Sequence, residues 1–165
     1  MKKYIVLLVT TIAIVSCASY TINGQKVTKE VYSAWAAQKV EQNIAGRQFV
    51  INMKSMHPFR GNSRHLTTDY SLEVCGDTII SYLPYFGEVR NVPYGGGKGL
   101  NFVGHLIAYE AYQAKAGMYR VVMGVENDEA QYRYILEVFD NGSSTLDVSS
   151  YNRDPISFTG NMELR

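Results

Sequence analysis

Cysteine and histidine are scarce in this chain, with two and three respectively among 165 residues. Two cysteines permit at most one disulfide, so stability has to come from a packed core. His57, His65 and His105 match neither an HExxH arrangement nor a Cys/His zinc spacing, and no metal site is assigned from them. An excess of charge of one sign is also missing: 16 basic against 15 acidic residues give a formal charge of +1. That balance supplies no counterion-release argument for nucleic acid, so no nucleic-acid partner is expected. A permanent spanning helix would need about 20 apolar residues to cross a hydrocarbon core ~30 Å thick, and no run reaches that length. Internal repeats and low-complexity tracts are absent as well.

What is present begins at the N-terminus. Met1-Lys2-Lys3 is a short positive region, followed by about a dozen apolar residues from Tyr4 to Val15 and then small residues. This is the three-part pattern of a secretory signal. Ile14-Val15-Ser16-Cys17 resembles the bacterial lipobox, which implies cleavage before Cys17 and acylation of its thiol. A thiolate is a good nucleophile for lipid transfer, and several acyl chains anchor far better than one. Ser16-Cys17-Ala18 also fits ordinary cleavage after Ala18. The lipobox reading divides the chain into a signal (1–16), a lipidated N-terminus and tether (17–27) and one globular domain (28–165). Loss of Lys2 and Lys3 leaves 14 basic against 15 acidic residues. With no acidic cluster after Cys17, the expected address is the outer membrane, facing the periplasm.

The composition of the whole sequence is that of a chain able to build a core, with 46% hydrophobic and 19% charged residues. Thirteen tyrosines, together with Val, Ile and Thr, tilt it toward strands. Thr28 is placed to cap a helix running to about Ala45, with Gly46 as its stop. Tyr32, Ala36, Val40 and Ile44 recur every four residues, with Trp35 beside them, and form one apolar stripe.

From Phe49 the apolar period shortens to two, predicting a strand that His57-Pro58 stops; 60–68 reads as a polar loop. Gly76-Asp77 signals a hairpin between strands at 70–75 and 78–83, with Tyr70, Leu72, Val74, Ile79 and Leu83 inward beside Ser81, and Cys75 and Thr78 outward. Alternation is poor over 102–112, clearer over 119–125 and 132–138, and resumes after the Asn141-Gly142 turn at Leu146, Val148 and 156–164. The expected class is α+β, mostly β: one N-terminal helix on an antiparallel meander of roughly seven to eight strands, barrel-like or sandwich, the helix covering an edge or an open end.

Four spaced elements then occur in order: Gly76-Asp77, the Ser81–Gly87 run SYLPYFG, Pro93-Tyr94-Gly95-Gly96-Gly97, and Gly99-Leu100-Asn101-Phe102, with Ile156–Gly160 closing the chain. They resemble the domain-of-unknown-function 4251 family, typical of Bacteroides-group lipoproteins. The resemblance implies an exported lipoprotein without an assigned activity.

The connection from Tyr85 to Asn101 is the candidate ligand or partner loop. Tyr85, Phe86 and Tyr94 can form an aromatic platform, with Gly95, Gly96 and Gly97 allowing close backbone approach. The other reading folds these aromatics back on the end of the sheet. Gly95–Gly99 is no phosphate loop, because Gly99 stands where Ser or Thr should follow Lys98 and a strand follows instead of a helix. Cys75 and His105 make a conceivable nucleophile–base pair with no evident activating neighbour. No catalytic residue and no cofactor is assigned. The function expected is a membrane-anchored, non-enzymatic binding module whose partners are the membrane, through Cys17, and an envelope protein or small ligand. The alternatives are a carrier with an apolar barrel interior and a small hydrolase.

Overall fold

The computed structural model describes residues 20–90 and 99–165. Cys17, Tyr94, Gly95, Gly96 and Gly97 lie outside the described residues.

Two short strands, β1 (Tyr20–Ile22) and β2 (Gln25–Val27), pair antiparallel around Asn23-Gly24, both at positive φ. An Asn-Gly pair is the preferred two-residue hairpin turn, and the stretch expected to be a tether is therefore folded from Tyr20 onward. Helix α1 (Lys29–Ala45) follows, and the Thr28 hydroxyl accepts the Val31 N–H at 3.4 Å as its cap. Gly46 ends the helix as expected, but it stays right-handed. The left-handed position passes to Arg47 at φ 49°. Arg47 is held there by its side chain, which bonds Asp77 at 2.9 Å and lies 4.8 Å from the centre of the Tyr109 ring.

Eight antiparallel strands then close a barrel: β3 (Gln48–Pro58), β4 (Arg64–Cys75), β5 (Thr78–Leu83), β6 (Leu100–Lys115), β7 (Met118–Glu126), β8 (Gln131–Phe139), β9 (Ser143–Ser150) and β10 (Arg153–Met162). Each pairs with its sequence neighbour, and β10 returns to β3. Two boundaries differ from expectation. Strand β3 runs through His57 and Pro58, which pair with Ser157 and Ile156; a proline is tolerated there because the pairing with β4 stops at Met56, so one side of the strand is an edge at that position. The polar loop shrinks to 59–63, since β4 begins at Arg64. The poor alternation of β6 has a cause: residues 100–105 pair with β5 and 105–115 with β7, and bulges interrupt the second half twice. Beyond His105 the strand is paired on one side only and, apart from Leu106 and Tyr109 against the core, is exposed on both faces, so little there imposes alternation.

Inward positions fill the barrel. Ile51, Leu72, Val121, Leu136, Leu146 and Phe158 have no exposed surface, as suits a barrel just wide enough for its own side chains. Ser81 and Ser144 are buried at inward positions, and the Ser81 hydroxyl donates to the Leu100 carbonyl at 2.8 Å and accepts from Tyr134 at 3.0 Å. One end of the barrel is closed by α1. Val40 and Ile44 join the core cluster, each adding roughly 1.5–3 kcal/mol of burial. Polar contacts fix the helix in place: the Tyr109 hydroxyl donates to the Ile44 carbonyl at 2.7 Å, and the Asn43 amide donates to the Glu163 carbonyl at 3.2 Å. Among the described residues, no helix is long and apolar enough to cross a membrane.

Candidate functional site

The end opposite α1 carries the loops β3–β4, β5–β6, β7–β8 and β9–β10. After Leu83 the chain turns across this end as a strap over residues 84–90. Tyr85 pins it from below. Its hydroxyl lies 3.0 Å from the Glu88 carbonyl and 3.1 Å from the Asp154 carbonyl, donating to both in a shared geometry. Its ring packs on the core cluster. Backbone bonds carry the strap on toward β10: Asp154 N–H donates to the Glu88 carbonyl at 3.1 Å, and Arg90 N–H donates to the Asn152 carbonyl at 2.9 Å. An exposed ion pair, Arg60–Glu88 at 3.0 Å, ties it to the β3–β4 loop.

Beneath the strap sits a group of polar side chains largely out of water. Arg153 and Glu129 pair at 3.4 Å, with side chains 7% and 13% exposed. The Arg153 guanidinium also lies 5.4 Å from the centre of the Tyr85 ring. The buried Tyr132 hydroxyl has no hydrogen-bond partner among the described residues, although Arg153 and Asn127 are close enough to act on it electrostatically or loosely. Desolvation raises the Tyr132 phenol above its ordinary range, and does the same for Tyr85, reinforced there by the Asp154 carboxylate. The cleft lined by Tyr85, Tyr132, Arg153 and Asp154 has no room for a water molecule.

The outer surface of this end is aromatic. Phe86 is 47% exposed and lies 4.6 Å beneath the Arg64 guanidinium, while Phe59 is 64% and Tyr151 89% exposed on neighbouring loops. The two adjacent aromatics of the loop divide: Tyr85 folds back onto the barrel, and Phe86 faces out. Tyr94 and the Gly95–Gly97 run fall outside the described residues.

Sequence reasoning did not single out Phe59, Glu129, Tyr132, Tyr151, Arg153 or Asp154. A register shift between Arg153 and Ile156 turns the start of β10 under the strap, which buries two adjacent charges. The available signal was that doublet directly before an alternating apolar run.

The other candidates do not converge. Cys75 pairs with Thr78 and Thr78 with His105, so a whole strand separates the thiol from the imidazole. His57 contacts Ser63 at 2.7 Å and His65 lies 3.5 Å from Ser55 on the β3–β4 side, away from His105 on β6. Among the described residues, no three His, Cys, Asp or Glu side chains come together as a metal site would require.

Comparison with known proteins places this architecture. A crystal structure of a DUF4251 family protein from Bacteroides eggerthii DSM 20697 superposes with a TM-score of 0.59 at 15% identity, over 80% of this chain and 87% of that one. At that identity the likeness shows the fold. No curated protein matches the chain. The family described as "Domain of unknown function (DUF4251)" matches residues 32–162, from the first turns of α1 to the end of β10. The chain therefore belongs to the DUF4251 family.

Proposed function

We propose that this protein is an exported cell-envelope lipoprotein, anchored through an acylated Cys17, that acts without catalysis as an interaction module at its strap-covered end. The observation that carries this reading is the aromatic surface of the strap-covered end, where Phe59, Phe86 and Tyr151 are 64%, 47% and 89% exposed on three separate loops, while toward the end closed by α1 Tyr112 and Phe139 are 42% and 39% exposed. Exposed aromatics are disfavoured on a free surface and concentrate where a partner covers them. Arg64 over Phe86 adds a cation to that surface, and arginine is one of the residue types enriched at binding hot spots. The filled barrel leaves a lumenal carrier little space, and the Ser63–His57 contact at 2.7 Å lacks the third group a hydrolase would need, since the far ring nitrogen of His57 has no hydrogen-bond partner among the described residues.

The test is site-specific photocrosslinking in intact cells. A photoreactive residue at Phe86 or Tyr151 is expected to give a discrete adduct with an envelope component. The same probe at Val103, 65% exposed on the barrel wall, is expected to give none. Adducts from Val103 alone, or from none of the three, would contradict the assignment.

A further inference from the structure

We propose that the β1–β2 hairpin and the first turns of α1 form the face on which the protein rests against the lipid surface, an inference that builds on the Cys17 anchor. Three aromatic rings run in a row there: Tyr20 packs on Tyr32 at 5.1 Å between centroids, and Tyr32 on Trp35 at 5.6 Å. All three are half-buried, and none belongs to the barrel core. Val31, in the first turn, is 52% exposed; Lys26 and Lys29 are exposed within five residues of it in sequence, as is Glu30, whose carboxylate offsets one of the two positive charges. Tyr and Trp are the side chains that favour the boundary between acyl chains and water, having an apolar body and a polar tip. Lysines at that depth extend their ammonium groups to anionic headgroups, each contributing about 1 kcal/mol.

Covalent reach supplies the second argument. Three peptide steps separate Cys17 from Tyr20, a span of at most about 10 Å when fully extended. The headgroup layer of one leaflet is itself about 5–8 Å thick. Acyl chains on Cys17 that enter the hydrocarbon therefore hold Tyr20 within or directly above the headgroups, too close for the hairpin to stand clear. The aromatic row is the surface the tether brings down, and the strap end is carried to the far side.

Trp35 is the single tryptophan of the chain, so its emission reports on this face alone. The experiment uses the full-length protein extracted from membranes and reconstituted into phosphatidylethanolamine–phosphatidylglycerol vesicles, a fraction of the lipid being brominated. The protein is expected to float with the vesicles. Trp35 emission should shift to the blue and lose most of its intensity with bromine near the headgroup end of the chains, and less with bromine near the terminal methyl. Val31→Glu, at an exposed position where folding is not at stake, should reduce both the shift and the quenching. Flotation with Trp35 unshifted and unquenched overturns this face while the anchor stands. Failure to float overturns both. A blue shift that depends on protein density and not on bromine assigns the face to a second copy of the chain and also overturns the proposal.

Discussion

Replacing Tyr85 by phenylalanine removes one oxygen from the strap and tests whether that oxygen holds it. The wild-type hydroxyl serves two carbonyls, those of Glu88 and Asp154, at 3.0 and 3.1 Å. A neutral hydrogen bond contributes roughly 0.5–1.5 kcal/mol net, and the carbonyls released at a partly open end can turn to water, which keeps the loss in that range. The competing tie, Arg60–Glu88, joins side chains 64% and 72% exposed. A pair in water contributes about 0–1 kcal/mol, so the phenol outweighs it. With tenfold per 1.4 kcal/mol, strap opening should become roughly two- to tenfold more frequent in Tyr85→Phe. Native-state hydrogen exchange reads this at Arg90 N–H and Asp154 N–H, the two amides bonded across the strap. Leu72, fully buried in β4, should keep its protection. Unchanged exchange at both strap amides would refute the argument, and so would an equal rise at Leu72, which would mean that the barrel itself had weakened.

Three further perturbations follow from the packing. Glu129→Gln leaves the Arg153 guanidinium, 7% exposed, beside a neutral partner, and should cost about 3 kcal/mol in urea unfolding; a loss below about 1 kcal/mol would show that the pair is not the counter-charge it resembles. Gly160→Ala places a methyl group against the Asn52 carbonyl oxygen and 3.0 Å from the Met53 Cα, at the bulge where β10 shifts register on β3. Because the obstacle is backbone, the variant should lose about 3 kcal/mol or more, whereas Gly24→Ala, with nothing within 4 Å but a φ of +80°, should lose about 1 kcal/mol. Burial pushes the Tyr109 phenol up to about 12, with Arg47 acting in the opposite direction. A folded value above the ordinary 10 means that this stabilisation is fully present below pH 10 and is lost as pH rises through about 12. Unfolding measured across that window should fall more steeply for wild type than for Tyr109→Phe; parallel curves would contradict the assignment.

Much of the architecture was legible wherever local chemistry and tertiary structure agree. Thr28 and Gly46 bound the helix, and Gly76-Asp77 and Asn141-Gly142 make their turns, because capping and positive φ are decided within a few residues. The inward set Leu72, Val74, Ile79, Ser81 and Leu83 follows from period two on a closed sheet, while Tyr70, expected with them, is only half-buried beside the register shift after Met53. Legibility failed where register shifts intervene. Bulges in β6 and the shift at the start of β10 decouple a residue's place in the alternation from the side it faces, so Arg153 and Asp154 went unnoticed. The hairpin at Tyr20–Val27 carries an Asn-Gly signal that its polarity concealed. Of the candidate site, Tyr85 and Phe86 were legible as aromatics in a long connection. That one turns in and its neighbour out depends on Asp154 and Arg64, which are distant in sequence.

The measurement that bears most directly on the account is the intact mass and N-terminal sequence of the native protein extracted from its own membranes. The account predicts a chain that begins at Cys17 and carries diacylglycerol on its sulfur. A water-soluble protein with an unmodified thiol at that position, or one whose first residue lies beyond it, would contradict the anchor and the orientation built on it.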